Sequence, residues 1–376
     1  MIFKRNITLK ILIFSFFIIL IIPAIIFTGC KTAETPDQDV IAEESEEEGT
    51  SEEEAEEEES HTAAVEITGN INIFSGEDIS DSVNDSRPIA IMVENTPDAR
   101  PQSGLIYADI VFEVVDEYGI TRYVVVYSSS EAEIVGPVRS SRIYYAEIAR
   151  SLDPLYAFWG TYPECYDVIR GLDIEVLDGN SEEIAYADSG WRDYSRIEPG
   201  QDTAHTAFMS TVLLKEDALD FDYSLEGGQS PLRFKEDAAD LERGDISDIS
   251  INFSSETYRA DFEYSSENNN YLKYVGGSPH TDYETGSQIE VNNIIVMITD
   301  IEGPIDQYGH MIVRTTGTID DGKAFFFMDG NIIEGTWERS SAFDPFTYRD
   351  DNGDIILFNR GSTWVALIQD TEMLTY

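Results

Sequence analysis

Arg139 and Arg142 stand three residues apart in IVGPVRSSRIYY (134–145), directly after a Gly-Pro turn and before a run with helical spacing. The chain around them carries a formal net charge of −49, so two close cations need a reason. Arginine presents a planar fork of donors that grips a carboxylate or a phosphate through two parallel hydrogen bonds. With Ser140 or Ser141 as helix cap, free backbone N–H groups and the positive helix end would face the same spot. The pattern predicts an anion site built from Arg139, Ser140, Ser141 and Arg142, with Arg100 and Arg122 as neighbours. A competing reading is an internal counter-charge network. Glu113, Asp116 and Glu117 are close in sequence and can pair with Arg122, Arg139 or Arg142. The residues alone leave both open.

His205, in DTAHTAFMS, is the only histidine between residues 71 and 230. Beside Ser140 or Ser141, and oriented by Asp202 or another acid, it would form a hydrolase-like set. Neither serine lies in a nucleophile-elbow pattern, so a hydrogen-bonded structural histidine is the competing reading. His280 in SPHTD and His310 in YGH read as turn residues. The scattered histidines and isolated acids have no metal-ligand spacing, and no cofactor is implied. Asp320-Asp321-Gly322 and the stretch 350–354 are similar to calcium loops but lack the twelve-residue pattern, so they read as turns. Trp337 and Trp364 fall in strand-like runs and are expected to fill a core; exposed, they would stack on sugar rings.

Several elements must position these groups. RPIAIMVEN (87–95), ADIVFEVVDE (108–117) and ITRYVVVYSS (120–129) are β-branched and aromatic runs, the last two joined as a hairpin through Tyr118-Gly119. SSRIYYAEIARSLDP (140–154) changes to helical period and stops at Asp153-Pro154. LYAFWGT (155–161) reads as a buried strand and PECYDVIRGL (163–172) as a short helix begun by proline. Turn residues cluster at LEGGQSPL (225–232), and beyond them helix signals nearly vanish. Hairpins are expected around 267–270 and at Asp329-Gly330, with another turn at Asn352-Gly353. The expected fold class is α+β: a mixed α/β domain over 71–230, then a β-rich domain over 231–376.

The amino-terminal residues have a different character. Lys4, Arg5 and Lys10 precede an apolar run from Ile11 to Phe27 that ends in FTGC (27–30), the layout of a secretory signal. That ending resembles the lipobox of bacterial lipoproteins, which implies that Cys30 carries a lipid. The competing reading is an uncleaved transmembrane anchor, and in both the rest of the chain faces outward at the cell membrane. Cys165 then has no partner for an internal disulfide and reads as a small buried hydrophobe. Glu34 to Glu59 holds 15 acids with no base and no aromatic residue, so residues 31–70 are expected to form a disordered acidic tether. The acidic balance excludes nucleic acid as a partner, because phosphate neutralisation needs a basic face.

ARPQSGL (99–105), ADIVFE (108–113), GITR (119–122) and GPVRSSR (136–142) together resemble the YerB-like bacterial lipoproteins, as do GSPHTDYETG (277–286), DGNIIEGTW (329–337) and GSTW (361–364). The resemblance spans roughly residues 87 to 376. It implies a lipid anchor and paired amino- and carboxyl-terminal domains of unknown function, and it brings no catalytic residue. The reading that follows is a non-catalytic binding or scaffolding protein that engages a cell-envelope protein or wall polymer. The competing class is a cell-wall-acting hydrolase or transferase using His205, Ser140 and the Arg139 loop.

Overall fold

Ile89–Glu94 (β1), Ile110–Val115 (β2) and Thr121–Tyr127 (β3) are buried at every position. Strands covered on both faces read as near-continuous apolar or aromatic runs, as these do apart from Glu94, Glu113, Thr121 and Arg122. The computed structural model describes residues 64–79, 87–181, 185–198, 201–317 and 322–376. Among them, the three strands form the middle of a ten-stranded sheet. β2 and β3 pair antiparallel across the expected turn, where Tyr118 and Gly119 both take positive φ. β3 pairs antiparallel with β1, β1 runs parallel to Leu155–Phe158 (β4), and β4 runs parallel to Glu175–Asp178 (β5). Helix Ile143–Arg150 (α1) leads from β3 to β4, and Pro163–Gly171 (α2) makes the β4–β5 crossover.

On its other side β2 pairs in parallel with Thr363–Ile368, from the far end of the chain. Asn293–Ile298, Lys323–Met328, Asn331–Glu338 and Thr347–Asp350 continue the sheet to its edge. Strands from both sides of the 225–232 turn cluster therefore share one sheet. Alternate residues of β1 show how it is covered. Ala90 and Met92 pack with Tyr145, Ile148 and Ile169 of α1 and α2. Ile89, Ile91 and Val93 pack with Ile251, Phe262 and Tyr271 of a smaller antiparallel sheet, and with Leu214 of helix Thr211–Asp220 (α3). That smaller sheet contains Asp248–Asn252, Arg259–Ser265 and Asn270–Val275.

A mixed α/β first part and a β-rich second part is thus the architecture. The hairpin at Asp329-Gly330 joins Lys323–Met328 to Asn331–Glu338 with positive φ at both turn residues, as a type I′ turn requires. Helix α1 is shorter than its apolar spacing suggests, starting only at Ile143, with Arg142 in the cap position and no side-chain cap. The expected Ser140 or Ser141 cap is therefore absent. Ser140 Oγ donates to the carbonyl of Trp159, and Ser141 Oγ bonds the hydroxyl of Tyr156. Helix α3 leaves little apolar periodicity in the sequence, because it buries only Thr211, Leu214 and Ala218. Cys165, Trp337 and Trp364 are all fully buried. In the Asp350–Asp354 turn, Asp350 Oδ1 accepts from the backbone N–H groups of Asn352 and Asp354.

The signal-like segment with Cys30 and the acidic stretch to residue 63 lie outside the described residues. Ile67 already belongs to the fold, donating its N–H to the carbonyl of Phe234. Among the described residues no helix is long and apolar enough to cross a membrane.

Candidate functional site: an arginine-lined cleft

β1 and β2 run in the same direction as β4, so Glu94, Asp116 and the Trp159–Gly160 turn meet at one edge of the sheet, at the strands' carboxyl ends. Crevices at such ends are where open sheets with parallel strands place ligands. The 137–142 segment lies across this edge. Arg139 N donates to Met92 O, Trp159 N donates to Arg139 O, and Ser141 N donates to Gly160 O. Beside it opens a cleft of about 900 Å³ whose wall includes Arg122, Arg139 and Arg142. Tyr162, Pro163 and Glu164 at the start of α2 line it, with Glu117 and Tyr118 of the β2–β3 turn. A hairpin loop between Ile301–Glu302 and Ile312–Val313 adds Ile305, Asp306, Tyr308 and His310.

The three arginines are used differently. Arg122 side-chain exposure is 4 %, and it meets Asp116 Oδ2 at 2.6 Å and Glu117 Oε2 at 3.2 Å while donating to Ser140 O. Arg142, 11 % exposed, pairs with Glu117 and donates to Ser141 O at 2.6 Å. These two guanidiniums are largely occupied by carboxylates. Arg139, 25 % exposed, meets Glu94 Oε2 at 3.1 Å through Nε. Among the described residues its Nη1 and Nη2 have no hydrogen-bond partner. Arg139 is thus the guanidinium with free donors on the cleft wall.

Electrostatics follow from burial and pairing. Burial works against ionisation of Asp116, but Arg122 and Arg142 hold its carboxyl below the usual range. Burial and the neighbouring Asp116 push Glu117 the other way. Burial also opposes the charge on Arg122, and Asp116 with Glu117 more than restores it. For Glu94, whose side chain is fully buried, the hydrogen bond from His205 and the charge of Arg139 outweigh burial and lower the carboxyl.

The structure brings Arg122, Arg139 and Arg142 to one cleft and places His205 next door. His205 Nδ1 is 2.8 Å from Glu94 Oε2, the oxygen that also meets Arg139. Ser140 and Ser141, expected in the anion site, do not line the cleft; their hydroxyls are engaged elsewhere, and neither bonds His205. Arg100 is not on the wall. It donates to Asn95 and to the carbonyl of Thr257 and stacks on Tyr258, tying the first part of the chain to the smaller sheet. Asp116 and Glu117 are the counter-ions expected from proximity, whereas Glu113 instead accepts from Thr121 and from Trp364 Nε1.

Three contributors escaped sequence reading. Glu94 closes the apolar IAIMVE strand, and a lone buried carboxylate there was its signal. His310 directly follows the Asp306–Gly309 turn and lines the cleft, stacked on Tyr162 at 4.6 Å and bonded to Asp306 at 2.7 Å. His280 does not lie in a turn: it follows the short strand Ser278–Pro279 and is buried, with Nε2 2.8 Å from Gln102 Oε1. That bond belongs to a larger junction. GSPHTDYETG docks on ARPQSGL through Asp282 to Gly104 N at 2.6 Å, Tyr283 N to Gln102 O, and Glu284 to Ser103 Oγ at 2.8 Å.

The model of the N-terminal domain of a protein of unknown function (DUF3048) matches residues 74–224, and its C-terminal counterpart matches residues 249–365. YerB of Bacillus subtilis (strain 168), a candidate lipoprotein by name, is 28 % identical over 293 residues, covering 77 % of this chain and 83 % of that protein. The crystal structure of YerB superposes with a TM-score of 0.70 at 26 % identity, covering 81 % of this chain and 98 % of the solved one. Matched along both halves in sequence and sharing the fold of YerB, the chain belongs to the DUF3048 family of YerB-like proteins.

Proposed function

We propose that this protein is an outward-facing lipoprotein, anchored at the cell membrane through Cys30, that binds an anionic group of a cell-envelope protein or wall polymer in the arginine-lined cleft. FTGC after the apolar run and the name of the B. subtilis relative support the anchor. One observation carries the binding role: the two unspent nitrogens of Arg139 on the wall of a 900 Å³ cleft. A cleft of this size suits a small ligand or the end of a polymer. The hydrolase or transferase reading keeps one favourable feature, the Glu94–His205 pair, since a buried carboxylate orients catalytic histidines in the same way. Neither Ser140 nor Ser141, the nucleophiles that reading calls for, bonds that histidine; their hydroxyls engage Trp159 and Tyr156 instead. Binding is therefore the better-supported role.

The test uses the full chain in mild detergent, with Arg139→Ala and Arg122→Ala beside it. Retention on purified cell-wall material is followed over a salt series, with melting in parallel. Wild-type retention should fall as salt rises, because exposed charge attraction is screened. Arg139→Ala should lose retention while melting close to wild type, since Glu94 keeps His205 and Thr96 as partners. Arg122→Ala should melt far lower, as removing one member of a buried ion pair costs about 3–5 kcal/mol. Wild type that is not retained at any salt concentration would overturn the proposal.

A further inference from the structure

The cleft's charges say more about the ligand than its arginines do. Its wall carries Arg122, Arg139 and Arg142, but also Glu117, Glu164 and Asp306. Immediately behind lie the buried carboxylates of Glu94 and Asp116. The site therefore has no positive excess, and it sits in a chain of net charge −49. A polyanion would approach against that field, and even a simple anion would gain only the contact at Arg139. The acids are not all consumed by the arginines. The Asp306 side chain is 38 % exposed, and Glu164 is exposed. Around them stand the rings of Tyr118, Tyr162 and Tyr308, two of which are strongly exposed at 75 % and 64 %. Carboxylates beside tyrosine faces attract an organic ammonium through charge and cation–π contact.

We infer that the cleft takes a short zwitterion, with its oxyanion on Arg139 and its ammonium on the side of Asp306, Glu164 and the tyrosines. Such a ligand cancels its own net charge and meets no long-range repulsion from the acidic chain. It uses the free donors of Arg139 together with the exposed carboxylate of Glu164 and the charge of Asp306, whose oxygens already accept from His310 and from the Tyr308 backbone. The oxyanion can be the carboxylate of a short peptide or the phosphate of an amino-alcohol ester, which share this chemistry. This inference rests on the binding reading of the cleft and narrows it.

Calorimetric titration of the full chain in mild detergent at low salt decides it, with five probes. Acetate, inorganic phosphate and ethylammonium carry one sign; dialanine and the phosphodiester glycerophosphoethanolamine carry both and are neutral overall. At least one zwitterion should bind about tenfold or more tighter than every single-sign probe, and whichever does identifies the source of the oxyanion. Arg139→Ala should abolish that binding. Asp306→Asn should bring the zwitterion down to the level of the simple anions. Should Asp306→Asn melt early through loss of its bond to His310, Glu164→Gln tests the same side from an exposed position. Acetate or phosphate binding as tightly as the zwitterions would overturn this inference and leave the anion cleft standing. If no probe binds at all, both readings fall.

Discussion

Glu94 is the residue on which the site turns, because one of its oxygens meets both Arg139 and His205. The hydrogen bond to that carboxylate raises the imidazole pKa of His205 above its ordinary value of 6.5, against the opposing effect of burial. A group that holds its proton more tightly when folded stabilises the fold fully below its unfolded pKa. That contribution disappears as pH climbs through the raised value. The melting temperature of wild type should therefore decline as pH rises from about 6.5 through the neutral range. His205→Gln should show a flatter profile over the same window, with the difference between the two proteins shrinking towards alkaline pH. Parallel melting curves across that range would mean that His205 carries no proton there. Arg122 and Arg142 differ from Arg139 for a local reason: Asp116 and Glu117 belong to the turn that precedes Arg122 and occupy both guanidiniums.

Turns decide how the strands present those residues. The Asp329-Gly330 hairpin shows how narrowly one is specified. Gly330 has φ +66°, and a Cβ there would lie 2.5 Å from the Tyr264 ring and 2.6 Å from Gly244 O. Gly330→Ala combines left-handed strain with overlap against backbone, so it should cost about 1–3 kcal/mol. Chemical denaturation would read this as a lower midpoint with an unchanged slope. A midpoint equal to wild type would mean that the hairpin can repack. The hairpin loop after Ile301–Glu302 has another role, carrying Asp306 and His310 to the cleft where Tyr162 stacks on the imidazole. Its contribution depends on packing against α2, on which its own sequence is silent.

For the molecule as a whole, the decisive pairing is β2 with Thr363–Ile368. It puts Trp364 edge-on to Tyr123 at 5.3 Å, with Nε1 donating to the buried Glu113. The Lys273 ammonium from the smaller sheet sits 4.3 Å over the same indole. Strands from both parts of the chain thereby share one sheet and one core face, so they should unfold together. Scanning calorimetry of the full chain is expected to show one transition from residues 64–376. Trp364→Ala should lower that single transition, in line with about 3–5 kcal/mol for truncating a buried tryptophan. Two resolved transitions, with only the later moved by the substitution, would show halves of independent stability.

The strands and most turns were legible in the sequence because their causes are local. Strands buried on both faces must be apolar throughout, and turns with positive φ call for Gly, Asn or Asp. The counter-ions Asp116 and Glu117 were legible for the same reason, lying within a few residues of Arg122. Helix α1 was legible as a helix but not in its first turn, because the serines beside it bond to Trp159 and Tyr156 instead of the helix end. Tertiary structure alone decided which arginine keeps free donors and which acids face it. Glu94 and His205 are 111 residues apart, and the loop bearing Asp306 and His310 enters from the second half of the chain. Contacts at such separations leave no periodicity and no local propensity. They come from which strand lies beside which, and that is settled only when the whole sheet closes its core.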